Sequence, residues 1–249
     1  MQNLQRKLFA VFVVSMVFLA AMQFSAIMPV SAQNQGKALI LSSLEKYVPM
    51  GYSETVKKYL TKAGRNVTFV RDAAVTLDLL TTELNNYDVI IWRTNAYDWA
   101  HTTYWYVGEL SNRATLSAYA SDFEAGWIDN TNGILGVSVE FFLNHFDSGS
   151  LSNVKLIVLV SSLSSSIATV LLGAGAKSAI AYVESFSLYF GMIDFATALV
   201  FGYLTNGLTV ENSVEITITR FRNVRVADPL DSKYVPPISS LGDGTLAIV

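Results

Sequence analysis

Short apolar runs that alternate with helical patterns are the feature that most constrains the fold of this chain. Three runs have the composition of buried strands, namely Lys37–Ser43, Asp88–Arg93 and Val154–Val160. Apolar residues at helical spacing fill the intervals, as in Ser53–Ala63 and Thr76–Leu84. Because strands separated by helices of this length are joined by crossovers, the pattern predicts an α/β protein built on a parallel sheet.

Further elements continue the alternation. Asn66–Arg71 alternates like a strand, and Ser178–Val183 is another short apolar run. Helices are predicted over Ser138–Phe146, Ser164–Leu172 and Phe195–Leu204. In the first of these helices, the spacing predicts one buried stripe made of Val139, Phe142, Leu143 and Phe146.

Three segments give weaker signals. Residues from about 94 to 135 are rich in aromatics, Gly, Ser and Asn, which indicates an irregular insertion of loops and a hairpin. Thr209–Phe221 fits the helical and strand periods equally imperfectly, so its class stays open. The tail from Asp228 contains Pro236-Pro237 and Gly242-Asp-Gly, and it is predicted to be a loop against the domain surface.

The N-terminus has the layout of a secretory signal peptide. A basic pair, Arg6-Lys7, precedes the apolar run Leu8–Ala21, and a stretch ending in small residues follows. This divides the chain into a signal peptide, 1–32, and one domain, 33–249. An uncleaved anchor from Leu8 to Val30 is the alternative, since roughly 20 apolar residues can span a bilayer. In either case we expect the domain outside the cytoplasm, with membrane contact only if the segment is retained.

Composition excludes several classes of function. The chain has no cysteine, so disulfides and thiol catalysis are excluded. Without Arg6 and Lys7 the 17 basic residues fall to 15, against 20 acidic ones, a net charge of −5. Because no Lys/Arg cluster is present, we expect no nucleic-acid partner. The two histidines, His101 and His145, are too far apart in sequence to indicate a metal site, and we interpret His145 as structural.

Two other features have ordinary structural explanations. Gly173–Ala176 follows a predicted helix and precedes a strand, the reverse of a phosphate-binding loop, so no cofactor is predicted. Ile167–Leu204 is apolar enough to suggest a membrane segment, but Lys177, Glu184 and Asp194 interrupt it. We therefore interpret this region as buried elements of the domain core.

Polar residues follow two of the predicted central strands. In α/β proteins, ligands and catalytic groups collect at the carboxyl ends of strands. Asp88–Arg93 leads into Thr94-Asn95, and Val154–Val160 leads into Ser161-Ser162. Serine is also common where a strand turns into a helix, because its hydroxyl caps the free amides of the first turn.

The order of these elements resembles the caspase-like fold of gingipain-type and clostripain-type cysteine peptidases. The resemblance implies a three-layer α/β domain with a mostly parallel central sheet flanked by helices. It extends over most of residues 33–249 and rests on five segments: Arg93-Thr-Asn-Ala96, Leu156–Ser162, Gly175-Ala-Lys177, Ala179–Tyr182 and Asn206–Val214.

The resemblance implies two catalytic positions, and both hold other residues. Such peptidases place a His after one central strand and a Cys after the next, and the matching positions here are Asn95 and Ser162. Asn hydrogen-bonds without titrating, so it cannot act as the base that a Ser hydroxyl needs. The expectation is a catalytically silent relative, a pseudopeptidase.

His101 is the basis of a rival interpretation. It follows Asn95 by six residues, and a fold-back could bring it to Ser162, with Asp98 or Asp122 orienting the ring as in a triad. That arrangement would make the protein a serine hydrolase. The simpler interpretation is an exposed or hydrogen-bonded loop histidine.

Aromatic side chains crowd the loop after Asp88–Arg93 and suggest a binding surface. A peptide, a protein or a glycan is the expected ligand, and a structural cell-surface component is a further alternative. The candidate binding residues are Tyr97, Asp98, Trp99, Tyr104, Trp105 and Ser161.

A separate motif, Asn66-Val-Thr68, fits the sequon for N-glycosylation.

Overall fold

A computed structural model gives the fold of the chain. Residues Gly36–Val249 form one compact unit. The predicted signal peptide and its cleavage point lie outside the described residues, as does most of the tail from Asp228. The residues that the structure describes are 36–43, 45–47, 51–131, 133–184, 190–223 and 238–249.

The central sheet of the described chain has six strands. They are β1 (Lys37–Ser42), β2 (Asn66–Arg71), β3 (Val89–Arg93), β8 (Leu156–Val160), β9 (Ser178–Tyr182) and β10 (Ile238–Gly242). Their spatial order is β10-β9-β8-β3-β1-β2, with all neighbours parallel except β10, which runs antiparallel to β9. The strand order reverses between β1 and β3, and such a switch point is where ligands bind in doubly wound sheets.

Helices cover both faces of this sheet, which makes the protein a three-layer α/β domain. Those of the described chain are α1 (Tyr52–Lys62), α2 (Leu77–Thr82), α3 (Arg113–Ala118), α4 (Ala120–Glu124), α5 (Val139–His145), α6 (Ser165–Gly173), α7 (Phe190–Leu204) and α8 (Val210–Asn223). Helices α2, α5 and α6 pack on one face, and α1, α7 and α8 pack on the other. The predicted mostly parallel sheet flanked by helices is thus confirmed.

Full burial on both faces explains why the central strands are continuous apolar runs. In β3 every residue is buried, with Ile90 and Trp92 in one apolar cluster and Val89 and Ile91 in the other. The last residue of β3, Arg93, lies on the same side as Val89 and Ile91 because side chains alternate along a strand.

The segment predicted to be irregular is more regular than its composition suggests. It contains β4 (Ala96–Trp99), β5 (Thr102–Leu110), β6 (Ile128–Thr131) and β7 (Ile134–Val137). These strands form an antiparallel sheet in the order β4-β5-β7-β6, with an irregular register between Tyr106 and Leu110. β4 and β5 form the expected hairpin, and it begins three residues after the end of β3.

Two other expectations need correction, and one open question is answered. The segment predicted as a loop-like tail contains β10, and the undecided segment Thr209–Phe221 is helical from Val210 onward, in α8. The buried aromatic residues are Phe141 and Phe142 in α5 and Phe146 directly after it, whereas Leu143 is 62% exposed. The predicted stripe was therefore wrong at Leu143. None of the helices within the described residues is long and apolar enough to cross a membrane.

Candidate functional site

Strands β3 and β8 end side by side at the carboxyl edge of the central sheet. Arg93 pairs with Val160 in the parallel register, and the Thr94 amide donates to the Val160 carbonyl at 3.1 Å. Asn95 and Ser162 each lie two residues beyond this last pair. The fold therefore brings Asn95 and Ser162, the two positions that the resemblance identifies, to neighbouring strand ends.

The turn from β8 into α6 holds the serine run in the interior. Ser161 and Ser162 are 1% and 3% exposed, and Leu163 adopts a left-handed φ of 54°, which is uncommon for a side chain of its size. The Ser161 hydroxyl has no hydrogen-bond partner within the described residues. Predicted as a binding residue, Ser161 is in fact inaccessible because the turn folds it inward.

Ser164 occupies the N-cap position of α6 but does not cap the helix. Its hydroxyl donates to the Leu159 carbonyl and accepts from the Tyr182 amide, both at 3.1 Å. The expected capping role of the serine run is thus replaced at Ser164 by a link between β8 and β9.

Trp105 covers the Ser162 backbone. Its indole Nε1 donates to the Ser162 carbonyl at 3.0 Å, and the ring is only 2% exposed. Trp105 was predicted as a ligand contact, but the antiparallel sheet directs it inward onto the β8–α6 turn. An indole packed there excludes solvent from the position that the resemblance assigns to the nucleophile.

Asn95 joins the two sheets. It is half-buried, and its carbonyl accepts from the Tyr106 amide at 3.0 Å. The hydroxyl of Thr94 donates to the Tyr106 carbonyl. These main-chain bonds fix where the hairpin leaves the central sheet.

Tyrosines stabilise the base of the hairpin rather than lining a groove. Tyr97 donates its hydroxyl to Asp129 at 2.8 Å, and its ring stacks on Tyr104 at 5.6 Å between centroids. Tyr104 is 6% exposed and donates to the Gly126 carbonyl at 2.7 Å. Burial, together with the charge of Asp129, raises the pKa of Tyr104. Tyr104 is therefore a buried residue, not the accessible ligand contact that the sequence suggested.

The tip of the hairpin is where the predicted binding residues remain accessible. Trp99 is 62% exposed, and the exposed Asp98 accepts a hydrogen bond from the Thr103 hydroxyl at 2.7 Å. Between the strands, Ala100 and His101 have φ values of 50° and 68°. Tight two-residue hairpins of type I′ require positive φ at both positions, where Asn-Gly is the preferred pair.

Neither carboxylate proposed to orient His101 contacts it. Asp122 is buried, and its Oδ1 lies 3.2 Å from Nε2 of His145. Asp98 is bonded to Thr103, as described above. The prediction that Asp122 orients His101 is therefore wrong, because Asp122 lies in α4 and contacts His145 at the end of α5. His145 also lies 4.4 Å from the Phe141 ring, centroid to centroid, as expected of a structural histidine.

A buried charge cluster at the switch point was not predicted. Arg93 donates from Nε and Nη2 to the two carboxylate oxygens of Asp194 at 2.8 and 2.7 Å. Glu45 lies 3.7 Å from Arg93 and accepts from the hydroxyls of Ser42 and Ser53 at 2.6 and 2.8 Å. The crevice where a doubly wound sheet would hold a ligand therefore contains the protein's own charges.

The pKa values of this pair reflect its environment. Burial raises the pKa of Asp194, and the bonds from Arg93 offset this only in part. For Arg93, burial lowers the pKa, but the hydrogen bonds and charge of Asp194 outweigh it, so that the net direction is upward. The sequence carried one signal of this pair, namely that Arg93 ends an otherwise apolar strand. A buried charge at such a position needs a partner of opposite charge.

The described residues contain no group of three or more His, Asp or Glu side chains placed to bind a metal ion.

Comparisons with known proteins identify no family. No family model matches the chain, and no curated protein is significantly similar to it. Solved structures that resemble it include a flavodoxin from Streptococcus pneumonia TIGR4, at 14% sequence identity and a TM-score of 0.31. That alignment covers 65% of this chain and 93% of the flavodoxin. A likeness this weak carries no conclusion about ligand or reaction.

Proposed function

We propose that this protein is an exported, caspase-like domain that lacks peptidase chemistry and acts by binding a peptide, a protein or a glycan. The first support is positional, because Asn95 and Ser162 follow adjacent central strands, as the His and Cys of the peptidases do. The second is chemical, because an amide at position 95 cannot accept the proton of a serine hydroxyl.

The observation that carries the proposal is the burial of Ser162. A nucleophile must meet its substrate, yet Ser162 is 3% exposed and the Trp105 indole is bonded to its carbonyl. A peptide bond reaches this position only if the Trp105 side chain moves away. A caspase-like domain with this arrangement is suited to binding rather than to hydrolysis.

The binding surface that we propose is the hairpin tip, defined as Asp98, Trp99 and His101. All three are exposed, and the tip follows directly from the former histidine position. Trp99 offers a large apolar ring, Asp98 a charge and His101 a hydrogen-bonding group. Partly apolar surfaces with a few polar groups are typical of recognition sites.

The rival serine-hydrolase function has less support. Trp105 contacts Ser162. Thr102, the first residue of β5, precedes Trp105 by three residues, or about 10 Å along the strand, and His101 lies one residue beyond Thr102 in the turn. A general base must come within about 3.2 Å of the hydroxyl or act through one water. The hairpin would have to refold before His101 could serve Ser162.

A serine-reactive fluorophosphonate separates these two functions. We expect no labelling of the folded protein, with Ser162→Ala indistinguishable from wild type. Labelling of wild type that disappears in both Ser162→Ala and His101→Ala would replace our proposal with the hydrolase.

Binding can be tested with immobilised peptide and glycan arrays. We expect ligands that are retained by wild type to be lost by Trp99→Ala. Leu143→Ala is the matched control because Leu143 is equally exposed, at 62%, but lies on α5. Equal loss in both variants, or no loss in Trp99→Ala, would contradict the hairpin tip as the site.

Size-exclusion chromatography addresses the remaining alternative, a self-assembling surface component. Elution of the protein as a monomer at low concentration would exclude that alternative.

A further inference from the structure

Within the described chain, strand β2 forms one edge of the central sheet, and its single charged residue is the last one, Arg71. It pairs with β1 in continuous parallel register from Asn66 to Arg71, without a bulge. Natural edge strands avoid pairing with other chains by means of charged residues, proline or bulges. From Asn66 to Val70, β2 contains none of these. Some other device is needed to keep this edge from pairing.

The first residue of β2 begins the sequon Asn66-Val-Thr68. Asn66 and Thr68 are both exposed, whereas Val67 and Phe69 are partly buried against the core. The Asn66 main-chain amide donates to the Gly36 carbonyl at 3.1 Å, but its side-chain amide makes no hydrogen bond within the described residues. Both sequon side chains are therefore open to solvent on the outermost strand.

We propose that Asn66 is an acceptor for an N-linked glycan and that this glycan shields the β2 edge. The Asn66 side-chain nitrogen forms a bond to the anomeric carbon of a lipid-diphosphate-linked oligosaccharide. The carbon–oxygen bond to the diphosphate breaks, and the lipid diphosphate leaves as the amide proton is lost. A bulky hydrated chain at the start of β2 sterically prevents another strand from pairing beside it.

The test uses expression in a eukaryotic secretory host, because the inference depends on the export that is part of the proposed function. One form carries the chain's own N-terminal segment, and a second carries a known cleavable leader in place of residues 1–32. Mass spectrometry before and after treatment with peptide N-glycosidase reads the state of Asn66. We expect a glycan at Asn66 in both forms. Modification only in the second form would overturn export by the chain's own segment while supporting the acceptor site.

Matched variants separate the sequon from general effects on folding. Thr68→Ser keeps the sequon and is expected to keep the glycan, whereas Asn66→Gln and Thr68→Ala are expected to lose it. A folded, secreted protein with an unmodified Asn66 in the second form would overturn the acceptor site.

Light scattering against protein concentration tests the shielding. Asn66→Gln is expected to self-associate at concentrations where the glycosylated protein stays monomeric. Monomers in both cases would overturn the shielding role.

Discussion

The bidentate pair between Arg93 and Asp194 joins β3 to the first turns of α7, and its removal has a calculable effect. Both side chains are almost fully buried, at 1% and 4% exposure. Asp194→Ala leaves the guanidinium in the interior without its bidentate partner, while Glu45 stays 3.7 Å away. Breaking one side of a buried ion pair costs about 3–5 kcal/mol. We expect a loss of that size in the free energy of unfolding.

Replacing both partners has a different expected result. Arg93→Met combined with Asp194→Leu removes both charges and keeps the volume filled. Such replacements are often neutral or stabilising by about 1–4 kcal/mol. Glu45 stays satisfied in this variant because it keeps the hydroxyls of Ser42 and Ser53. The double variant is therefore expected to recover most of the stability lost in Asp194→Ala.

Urea unfolding followed by tryptophan fluorescence and circular dichroism measures these differences. Asp194→Asn is the isosteric comparison, since it removes the charge and leaves one oxygen that can still accept a hydrogen bond from Arg93. A loss below about 1 kcal/mol in Asp194→Ala, with an unchanged denaturant slope, would refute the reasoning. A double variant less stable than Asp194→Ala would refute it as well.

Three further predictions concern the backbone and one buried phenol. Replacing Ala100 by Asn together with His101 by Gly is expected to stabilise the protein by about 1–2 kcal/mol, because both positions have a positive φ that Asn and Gly adopt more easily than the present residues do. An unchanged or lower thermal midpoint would contradict this. Gly108→Ala is expected to lower the free energy of unfolding in urea by at least about 2 kcal/mol, since the φ of Gly108 is 109° and a Cβ there would overlap the main chain of Asp72. Gly126→Ala is the control, because Gly126 has a φ of 72° but a Cβ there would lie in open space, and it should cost less. Equal losses in the two variants would count against the overlap. Burial, the charge of Asp194 and the neighbouring Tyr182 raise the pKa of Tyr52 well above 10.0. Above about pH 10 the Tyr52 hydroxyl keeps its proton in the folded state and loses it on unfolding, so wild type should lose more stability than Tyr52→Phe as the pH rises further. Stability curves that stay parallel for the two proteins would exclude this contribution of Tyr52.

The central strands could be predicted from the sequence because each carries its signal locally. β3, β8 and β9 are buried on both faces, which requires uninterrupted apolar runs whatever the rest of the chain does. The alternation with helices then determined a parallel sheet. The exposure of Leu143 was misjudged because which side of α5 faces the sheet depends on tertiary packing.

The antiparallel sheet and the last strand were missed for the opposite reason. β4, β6 and β7 have only four residues each, and Gly and polar residues interrupt their alternation. β10, with the sequence Ile-Ser-Ser-Leu-Gly, is a strand because β9 offers it an edge, not because its own composition demands it. Pairing between distant segments supplies what the local pattern lacks.

The sequence indicated that Asn95 and Ser162 follow central strands, but not how accessible the residues around them are. Asn95 and Ser162 lie at adjacent strand ends, as the order of elements implied. The aromatic residues divide between the core and the surface according to their position along the β4–β5 hairpin, which sequence alone does not give. Trp105 is buried where it pairs with Ala96 at the base of the hairpin, and Trp99 is exposed beside the turn. The partner of Arg93 lies 101 residues away, so no local pattern indicates it.

The reactivity of a thiol at position 162 tests the central claim most directly. Because the chain has no cysteine, Ser162→Cys introduces a single thiol whose reaction with Ellman's reagent reports its accessibility. Ser166→Cys, on the exposed side of the same serine run, is the matched control. We predict that the control reacts rapidly in the folded protein, while Ser162→Cys reacts at a comparable rate only after denaturation. Rapid reaction of folded Ser162→Cys would contradict the closed position and reopen the case for catalysis.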